Sequence, residues 1–106
     1  MFVRNVAIHL KPNALGEFTR ILDNEVLPIL RKQTGFRDEI TFSTSPTGMA
    51  VTAISLWDTR KQAEAYNASG YPEVLKSLNK VLDGAPKVHS SDVISSSLRE
   101  HAGITA

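Results

Sequence analysis

Few side chains in this sequence have the chemistry of a reactive site, and the first group lies near the N-terminus. Asn5 interrupts an apolar, strand-like segment that runs from Phe2 to Leu10, although asparagine is depleted from strands. A buried amide either bonds to neighbouring backbone or faces a polar-lined cavity. His9 is a candidate base if a cavity lies beside it, and a hydrogen-bonded structural histidine otherwise. Asn5 and His9 are therefore the candidate catalytic residues.

A second group of candidates surrounds the only tryptophan, Trp57, which stands where an apolar run ends and a helix-like run begins. Its ring either lines a pocket or anchors helix to sheet, and the anchoring role is favoured because aromatic residues dominate core energetics. Tyr66 and Tyr71 flank the segment 67–70, which breaks the helical pattern and could frame a cavity or act as a lid. Ordinary packing with each hydroxyl at the solvent is the alternative. These three aromatic residues are the candidate walls of a binding pocket.

Other kinds of site have little support. His89, Ser90 and Asp92 have the residue types of a catalytic triad but are almost adjacent in sequence, whereas triads converge from separated segments. The three histidines show no metal-ligand spacing, and the chain contains no cysteine. We therefore expect no metal site and no thiolate chemistry.

Composition limits the class of protein. The 106 residues fit one domain, and the net charge of +1 comes without the basic stripe that a nucleic-acid binder needs. No apolar run approaches the roughly 18 residues that indicate a membrane span. The N-terminal segment carries Arg4 early and lacks a small-residue cleavage site, so it is interpreted as a first strand and not as a signal peptide. A cytoplasmic protein is expected.

The elements that must position these candidates follow from the periodicity of the apolar residues. Strands are predicted where the period is two or the run is short and apolar, and helices where apolar residues recur at three- and four-residue steps. Strands are predicted over 2–10, 36–44, 49–57 and 87–97, and helices over 14–32, 59–68 and 72–84.

Local signals refine these elements. Asn13 is the predicted N-cap of the first helix, and Pro28 is expected to produce a kink or a short second helical turn. Thr59 is predicted to cap the next helix through a capping box with Gln62. The second strand alternates, with Phe36, Asp38, Ile40 and Phe42 on one, mostly apolar face.

The resulting order, β-α-β-β-α-β, predicts an α+β, ferredoxin-like domain over residues 1–97, followed by a loose tail over 98–106. Right-handed crossovers place both helical regions on one face of a four-stranded antiparallel sheet. Several strands are apolar on both sides, so the other face needs a cover. The simplest closed solution is a homodimer in which two sheets pack face to face into an α/β barrel.

Several passages occur together in this chain: a first strand with Asn5, the Gly35-Phe36 junction after a long helix, LWDTRKQAEAY, and YPEVLKSLNKVLDG. With them the sequence resembles the antibiotic-biosynthesis-monooxygenase-like group of the dimeric α/β-barrel superfamily, over roughly residues 2–97. The resemblance implies the ferredoxin-like fold and the dimer. Known members include cofactor-independent quinone-forming oxygenases, heme-degrading oxygenases and small proteins of unassigned role.

The heme-degrading branch is disfavoured. As the resemblance implies, that branch uses an asparagine in the first strand, a tryptophan on the second helix and a histidine ten residues later as heme ligand. Asn5 matches the first position, but the tryptophan position falls on Tyr66 and the histidine position on Lys76. Lysine is a poor replacement for a neutral imidazole ligand of iron.

The quinone-forming branch implies a reaction without cofactor or metal, on phenolic polycycles whose anions react directly with oxygen. Asn5, His9, Trp57 and Tyr66 would supply an amide, a base and aromatic walls. The function predicted first is therefore a cofactor-independent monooxygenase that binds a small aromatic ligand beside Asn5. A non-catalytic small-ligand-binding protein and a structural dimer with a filled core are the alternatives.

Overall fold

The computed structural model describes residues 1–97. Its four strands form one antiparallel sheet in the spatial order second, third, first and fourth, which confirms the predicted ferredoxin-like arrangement. The predicted tail over 98–106 lies outside the described residues. The strands are β1 (Phe2–His9), β2 (Phe36–Ser43), β3 (Ala50–Trp57) and β4 (Lys87–Asp92).

The first helical region is continuous but not uniform. It consists of α1 (Leu15–Ile21), a π-helical turn (Leu22–Val26) and α2 (Leu27–Arg31). Pro28 lies in the first turn of α2, where its missing N–H costs least. The disturbance expected at Pro28 therefore takes the form of the π-helical turn directly before it. The N-cap prediction is wrong, because Ala14 holds that position and Asn13 occupies a left-handed turn conformation with φ of 62°.

The second helical region is α3 (Arg60–Ala68) followed by α4 (Gly70–Leu78). Thr59 caps α3 as predicted, since its hydroxyl accepts from the backbone N–H of Gln62 at 3.2 Å. Gly70 is required at the break between the two helices. A Cβ there would lie 2.8 Å from the Tyr66 ring, so any larger residue would push α4 away from that ring. None of the helices within residues 1–97 is long and apolar enough to cross a membrane.

The core lies between the helices and one face of the sheet, here called the inner face. Every second residue of β1, from Phe2 to Ile8, is buried on this side. The register pairs these residues with the buried side of β3, for example Phe2 with Trp57 and Ile8 with Val51. The opposite side of the sheet, here called the open face, is covered by no element within residues 1–97, and Ile40 on it is 60% exposed.

One bulge changes which residues of β2 face the core. Between Phe36, which pairs with Trp57, and Asp38, which pairs with Leu56, β2 has one residue more than β3. The extra residue, Arg37, donates a hydrogen bond to the carboxylate of Asp58. Phe36 therefore points inward against Trp57, whereas the rest of the predicted apolar face, including Ile40 and Phe42, lies on the open face. The uninterrupted alternation predicted for this strand is wrong, and Glu39 faces inward in consequence.

The last strand is also shorter than predicted. β4 ends at Asp92, which pairs with Phe2, the first residue of its only partner strand. One more backbone hydrogen bond, from the N–H of Val93 to the carbonyl of Met1, completes the ladder. Beyond this point β1 offers no further partner, so the predicted strand over 93–97 does not form.

Candidate functional site

A cavity of about 50 Å³, partly open to solvent, lies between the inner face of the sheet and the helices. Its wall is mostly apolar and is built from β1, β3, one residue of β2 and residues of every helical segment. Both ends of the π-helical turn, Leu22 and Val26, belong to the wall, and such turns are frequent at functional sites. The polar or charged residues among its lining are Arg4, Glu39, Ser55, Tyr66 and Tyr71.

Arg4 is the unusual member of this set, because it lies on the buried side of a central strand. Arg4 is only 3% exposed, and it lies on the same side of β1 as Phe2, Val6 and Ile8. Burial lowers the pKa of the Arg4 guanidinium. An arginine nevertheless remains protonated inside a protein, so the cavity holds a positive charge.

Only part of the Arg4 hydrogen-bonding capacity is used. Nη1 donates to the side-chain oxygen of Asn67 at 2.8 Å. Nε and Nη2 are buried and have no hydrogen-bond partner among residues 1–97. Buried polar groups are almost always satisfied, and an unsatisfied donor costs about 1–3 kcal/mol. Two such donors on one charged group beside a cavity make Arg4 a candidate anion-binding group.

The faces of the guanidinium are covered by aromatic rings. The central carbon of Arg4 lies 4.7 Å from the ring centroid of Tyr71 and 5.1 Å from that of Tyr66, within the range of cation–π attraction. Tyr66 in turn stacks on Trp57 with centroids 5.0 Å apart. Because the helical region is interrupted at Ser69 and Gly70, tyrosines from both α3 and α4 reach the same guanidinium.

The two tyrosines are neutral groups at ordinary pH. Burial raises the pKa of the Tyr66 hydroxyl well above its usual range, although the nearby Arg4 charge opposes this rise. Burial raises the pKa of Tyr71 as well, again opposed by Arg4. Neither phenol therefore neutralises the guanidinium, and the positive charge of Arg4 remains available to a ligand.

The cavity also holds one carboxyl group. Glu39 is half-buried, and its carboxylate accepts a hydrogen bond from the hydroxyl of Thr41. Burial raises the pKa of Glu39, and the hydrogen bond from Thr41 opposes the rise. Within residues 1–97 no ion pair joins Glu39 to Arg4, so the two charges face the same space unpaired.

The structure brings together only part of the set predicted from the sequence. Tyr66 and Tyr71 line the cavity, whereas Asn5, His9 and Trp57 do not. Asn5 and His9 alternate with the buried residues of β1 and therefore lie on the open face, where Asn5 pairs with His89 of β4. A cavity beside Asn5 between helices and sheet is thus not what the structure shows, and a catalytic role for Asn5 or His9 stays a prediction.

Trp57 supports the cavity without lining it. The residue is fully buried, its ring stacks on Tyr66, and its indole N–H donates to the hydroxyl of Ser55 at 2.9 Å. These contacts are those of a core anchor that orients two residues of the cavity wall. His89 points to the face of the sheet opposite that of Ser90 and Asp92, because successive residues of a strand alternate, so the three do not converge as a triad. Within residues 1–97 no cluster of histidine and carboxylate side chains could hold a metal ion.

Sequence reasoning missed Arg4, Ser55 and Glu39. The signal for the first two was present: each occupies the position that the apolar period-two pattern of its strand assigns to the core. A charged residue at such a position is a functional candidate in its own right. Glu39 gave no such signal, because its inward orientation depends on the bulge at Arg37.

No protein-family model matches the chain, and no curated protein matches it either. Solved structures do share its fold. A protein of unknown function from Nitrosomonas europaea superimposes with a TM-score of 0.76 at 12% identity, over 92% of each chain. The mutant cofactor-independent oxygenase SnoaB from Streptomyces nogalater gives a TM-score of 0.75 at 12% identity, over 91% of this chain and 95% of that one.

A third similar structure holds a ligand. It is the monooxygenase from the gene ActVA-Orf6 of Streptomyces coelicolor in complex with nanaomycin D, with a TM-score of 0.75 at 19% identity, over 90% of this chain and 88% of that one. The resemblance to antibiotic-biosynthesis-monooxygenase-like proteins is therefore confirmed at the level of the fold.

Replacing Arg4 by methionine should stabilise the chain. Methionine keeps a long unbranched side chain but removes the two unpartnered donors, while the oxygen left on the exposed Asn67 can bond to water. We expect the free energy of unfolding to rise by about 1 kcal/mol, measured by denaturant unfolding. A fall of similar size would show that the buried guanidinium holds the fold together and is not a binding group. Arg37→Met, at the bulge, is the control and should destabilise.

Proposed function

We propose that this protein is a cofactor-independent monooxygenase that oxidises a phenolic aromatic compound bound against Arg4. The observation that carries the proposal is the buried guanidinium of Arg4, two of whose donors have no partner among residues 1–97, at a cavity whose walls are mostly apolar and aromatic. The fold shared with a cofactor-independent oxygenase and with a monooxygenase solved with its ligand supports the same conclusion.

A phenol in this cavity would meet two opposing effects. Removal from water disfavours the phenolate, whereas a cation within hydrogen-bond reach favours it, and in a poorly hydrated site the Coulomb term is strong. The Nε and Nη2 donors of Arg4 can bind a phenolate oxygen directly, in the geometry that arginine offers to oxyanions. Tyr66 and Tyr71 provide faces for the ring. The cavity is therefore suited to bind the ionised form.

Ionisation is what activates a phenol toward oxygen. The phenolate is electron-rich and can pass one electron to O₂, which gives a phenoxyl radical and superoxide. Superoxide then bonds to a ring carbon of the phenoxyl radical, and a peroxide is formed. Loss of water from the peroxide leaves a quinone, so the balanced reaction is phenol plus O₂ giving quinone plus water. The substrate supplies all the electrons, and the protein binds, ionises and shields it.

The size of the cavity bears on the second candidate function. About 50 Å³ is far below the roughly 300–1,000 Å³ of a typical ligand pocket. A bicyclic phenol would therefore have to displace the half-buried Tyr71, which follows Gly70 at the break between α3 and α4. If Tyr71 is not displaced at this break, the site accepts only a small anionic ligand, and the protein binds that ligand without turnover.

We further propose that the open face is closed by a second copy of the chain. Its apolar side chains come from the three adjacent strands β2, β3 and β1, which would give one continuous patch on the sheet. The same patch on two chains can pack about a two-fold axis. Asn5 and His9 would then lie at this interface, on the far side of the sheet from the cavity.

The proposed activity is tested by oxygen uptake with a dihydroxynaphthalene, whose oxidation gives a coloured hydroxynaphthoquinone. The wild type should consume oxygen and form the quinone, and Arg4→Gln should lower kcat/KM by about 10²–10³-fold because the oxyanion loses its cation. Arg4→Lys should retain part of the activity. A wild type that is stabilised by the phenol on heating but consumes no oxygen would establish the binding function instead.

The proposed dimer is tested by light scattering. The wild type should have the mass of two chains, and Ile40→Glu should have the mass of one, because the charge replaces a large exposed apolar side chain of the open face. Leu15→Glu is the matched control, since Leu15 is also an exposed apolar residue (42%) but lies on α1. A wild type with the mass of one chain contradicts the dimer without affecting the cavity.

A further inference from the structure

Three polar residues form a row across the inner face of the sheet. In the register, Arg4 of β1 pairs with Ser55 of β3, and Ser55 pairs on its other side with Glu39 of β2. All three line the cavity. Neighbouring strands lie about 4.8 Å apart, so the backbones of Arg4 and Glu39 are separated by roughly 10 Å. The cavity thus has a cation at one end of the row and a carboxylate at the other.

Glu39 is the only carboxylate among the residues that line this cavity within 1–97. The hydroxyl of Thr41 donates to it, and no ion pair with another residue of the described part of the chain neutralises it. The charged and titratable groups nearest to it are Asp38 on its own strand, Asp23 on the π-helical turn and Tyr66 on α3. The two aspartates add to burial in raising the pKa of Glu39, which makes its carboxylate a stronger base.

We propose that Glu39 is the catalytic base that removes the proton from the ring carbon opposite the oxygen held by Arg4. This role rests on the proposed monooxygenase function and assigns the step after oxygen addition. A phenolate reacts with oxygen at the carbon across the ring from its oxygen, because the negative charge is delocalised to that position. A ring held by Arg4 at one end therefore presents its reacting carbon to Glu39 at the other.

The step balances as follows. After O₂ has joined the phenolate and the peroxide has taken up the phenol's proton, the ring carbon carries one hydrogen and one hydroperoxide group. The carboxylate of Glu39 takes the hydrogen as a proton, and the C–H electron pair becomes the second bond of the new C=O group. The O–O bond breaks, and its electron pair leaves with hydroxide. The hydroxide accepts the proton from Glu39 and leaves as water, which restores the carboxylate.

The other polar residues of the cavity are unsuited to this step. Tyr66 and Tyr71 stay protonated because burial raises the pKa of each hydroxyl. The hydroxyl of Ser55 already accepts the indole N–H of Trp57. The neighbouring carboxylate, Asp38, lies on the open face of the same strand, since successive residues alternate.

Asp38 therefore provides a matched control for the test. Glu39→Gln removes the base with almost no change of shape, and Asp38→Asn removes an exposed carboxylate one residue away. Both variants and the wild type are assayed for oxygen uptake and quinone formation with the dihydroxynaphthalene, across pH. Quinone formation by Glu39→Gln should fall by about 10²–10⁴-fold. The loss in Asp38→Asn should be far smaller, because that variant keeps the carboxylate of Glu39 and only removes one charge that raises its pKa.

The pH profile separates a base from a merely structural residue. Because the carboxylate is the active form, the wild-type rate should rise as pH increases through the pKa of Glu39, which burial raises from its ordinary value. This rise should be absent in Glu39→Gln and retained in Glu39→Asp, at a lower rate. Peroxide should accumulate in Glu39→Gln, measured with a peroxidase-coupled dye, because oxygen addition precedes the blocked step.

Each outcome bears on the assignment. Equal rates for wild type and Glu39→Gln overturn the role of Glu39 and leave the proposed function intact. An equal loss of rate in Glu39→Gln and Asp38→Asn has the same consequence. A wild type that consumes no oxygen overturns the proposed function and the role of Glu39 with it. If Glu39→Gln does not fold, judged by circular dichroism, the pH profile of Glu39→Asp decides: a profile without the rise contradicts the proposal.

Discussion

The site depends on one charge kept inside the layer between helices and sheet. The guanidinium of Arg4 is buried on a central strand, bonds to Asn67 through one nitrogen and leaves two donors without partners. A group held in this way lowers the stability of the folded chain. It also loses little solvent when an oxyanion binds, because its water has already been removed. Such preorganised donors contribute most to binding and to catalysis.

The surrounding elements hold this charge in place. A series of aromatic contacts runs from Phe36 through Trp57 and Tyr66 to Tyr71, and its last two rings cover Arg4. The break at Gly70 allows α4 to approach Tyr66, and the π-helical turn contributes its two end residues to the opposite wall. Each of these departures from regular structure contacts or borders the cavity. Irregularities of this kind are expected where a fold has been adapted to a function.

The architecture could be predicted from the sequence because it follows from the periodicity of the apolar residues and from the residues that start and end the helices. Apolar alternation marked the strands, three- and four-residue steps marked the helices, and Thr59 and Gly70 marked a start and a break. The site was predicted only in part. Tyr66 and Tyr71 were predicted from the break between α3 and α4. Asn5 was favoured over Arg4 because it is a polar residue within a strand, but the period-two pattern places Arg4, and not Asn5, on the buried face.

Glu39 was beyond sequence reasoning for a different reason. Strict alternation places it on the polar side of β2, and only the extra residue at Arg37 turns that side toward the core. A bulge changes the direction of every later side chain in the strand, yet the residues around it, with no glycine between Phe36 and Ser43, carry none of the usual signals of one. Long-range contacts such as that between Arg37 and Asp58 form only in the folded chain.

The ionisation of a bound phenol tests the central claim most directly. Nitrophenol suits this measurement, because its phenolate absorbs visible light and its neutral form does not, and because the ionisation is read without turnover. If Arg4 is an anion-binding cation in this mostly apolar cavity, the bound phenol should ionise at a lower pH than the same phenol in free solution. An apolar cavity without an available cation would have the opposite effect. Ionisation of bound nitrophenol at a higher pH than in free solution would therefore contradict the account.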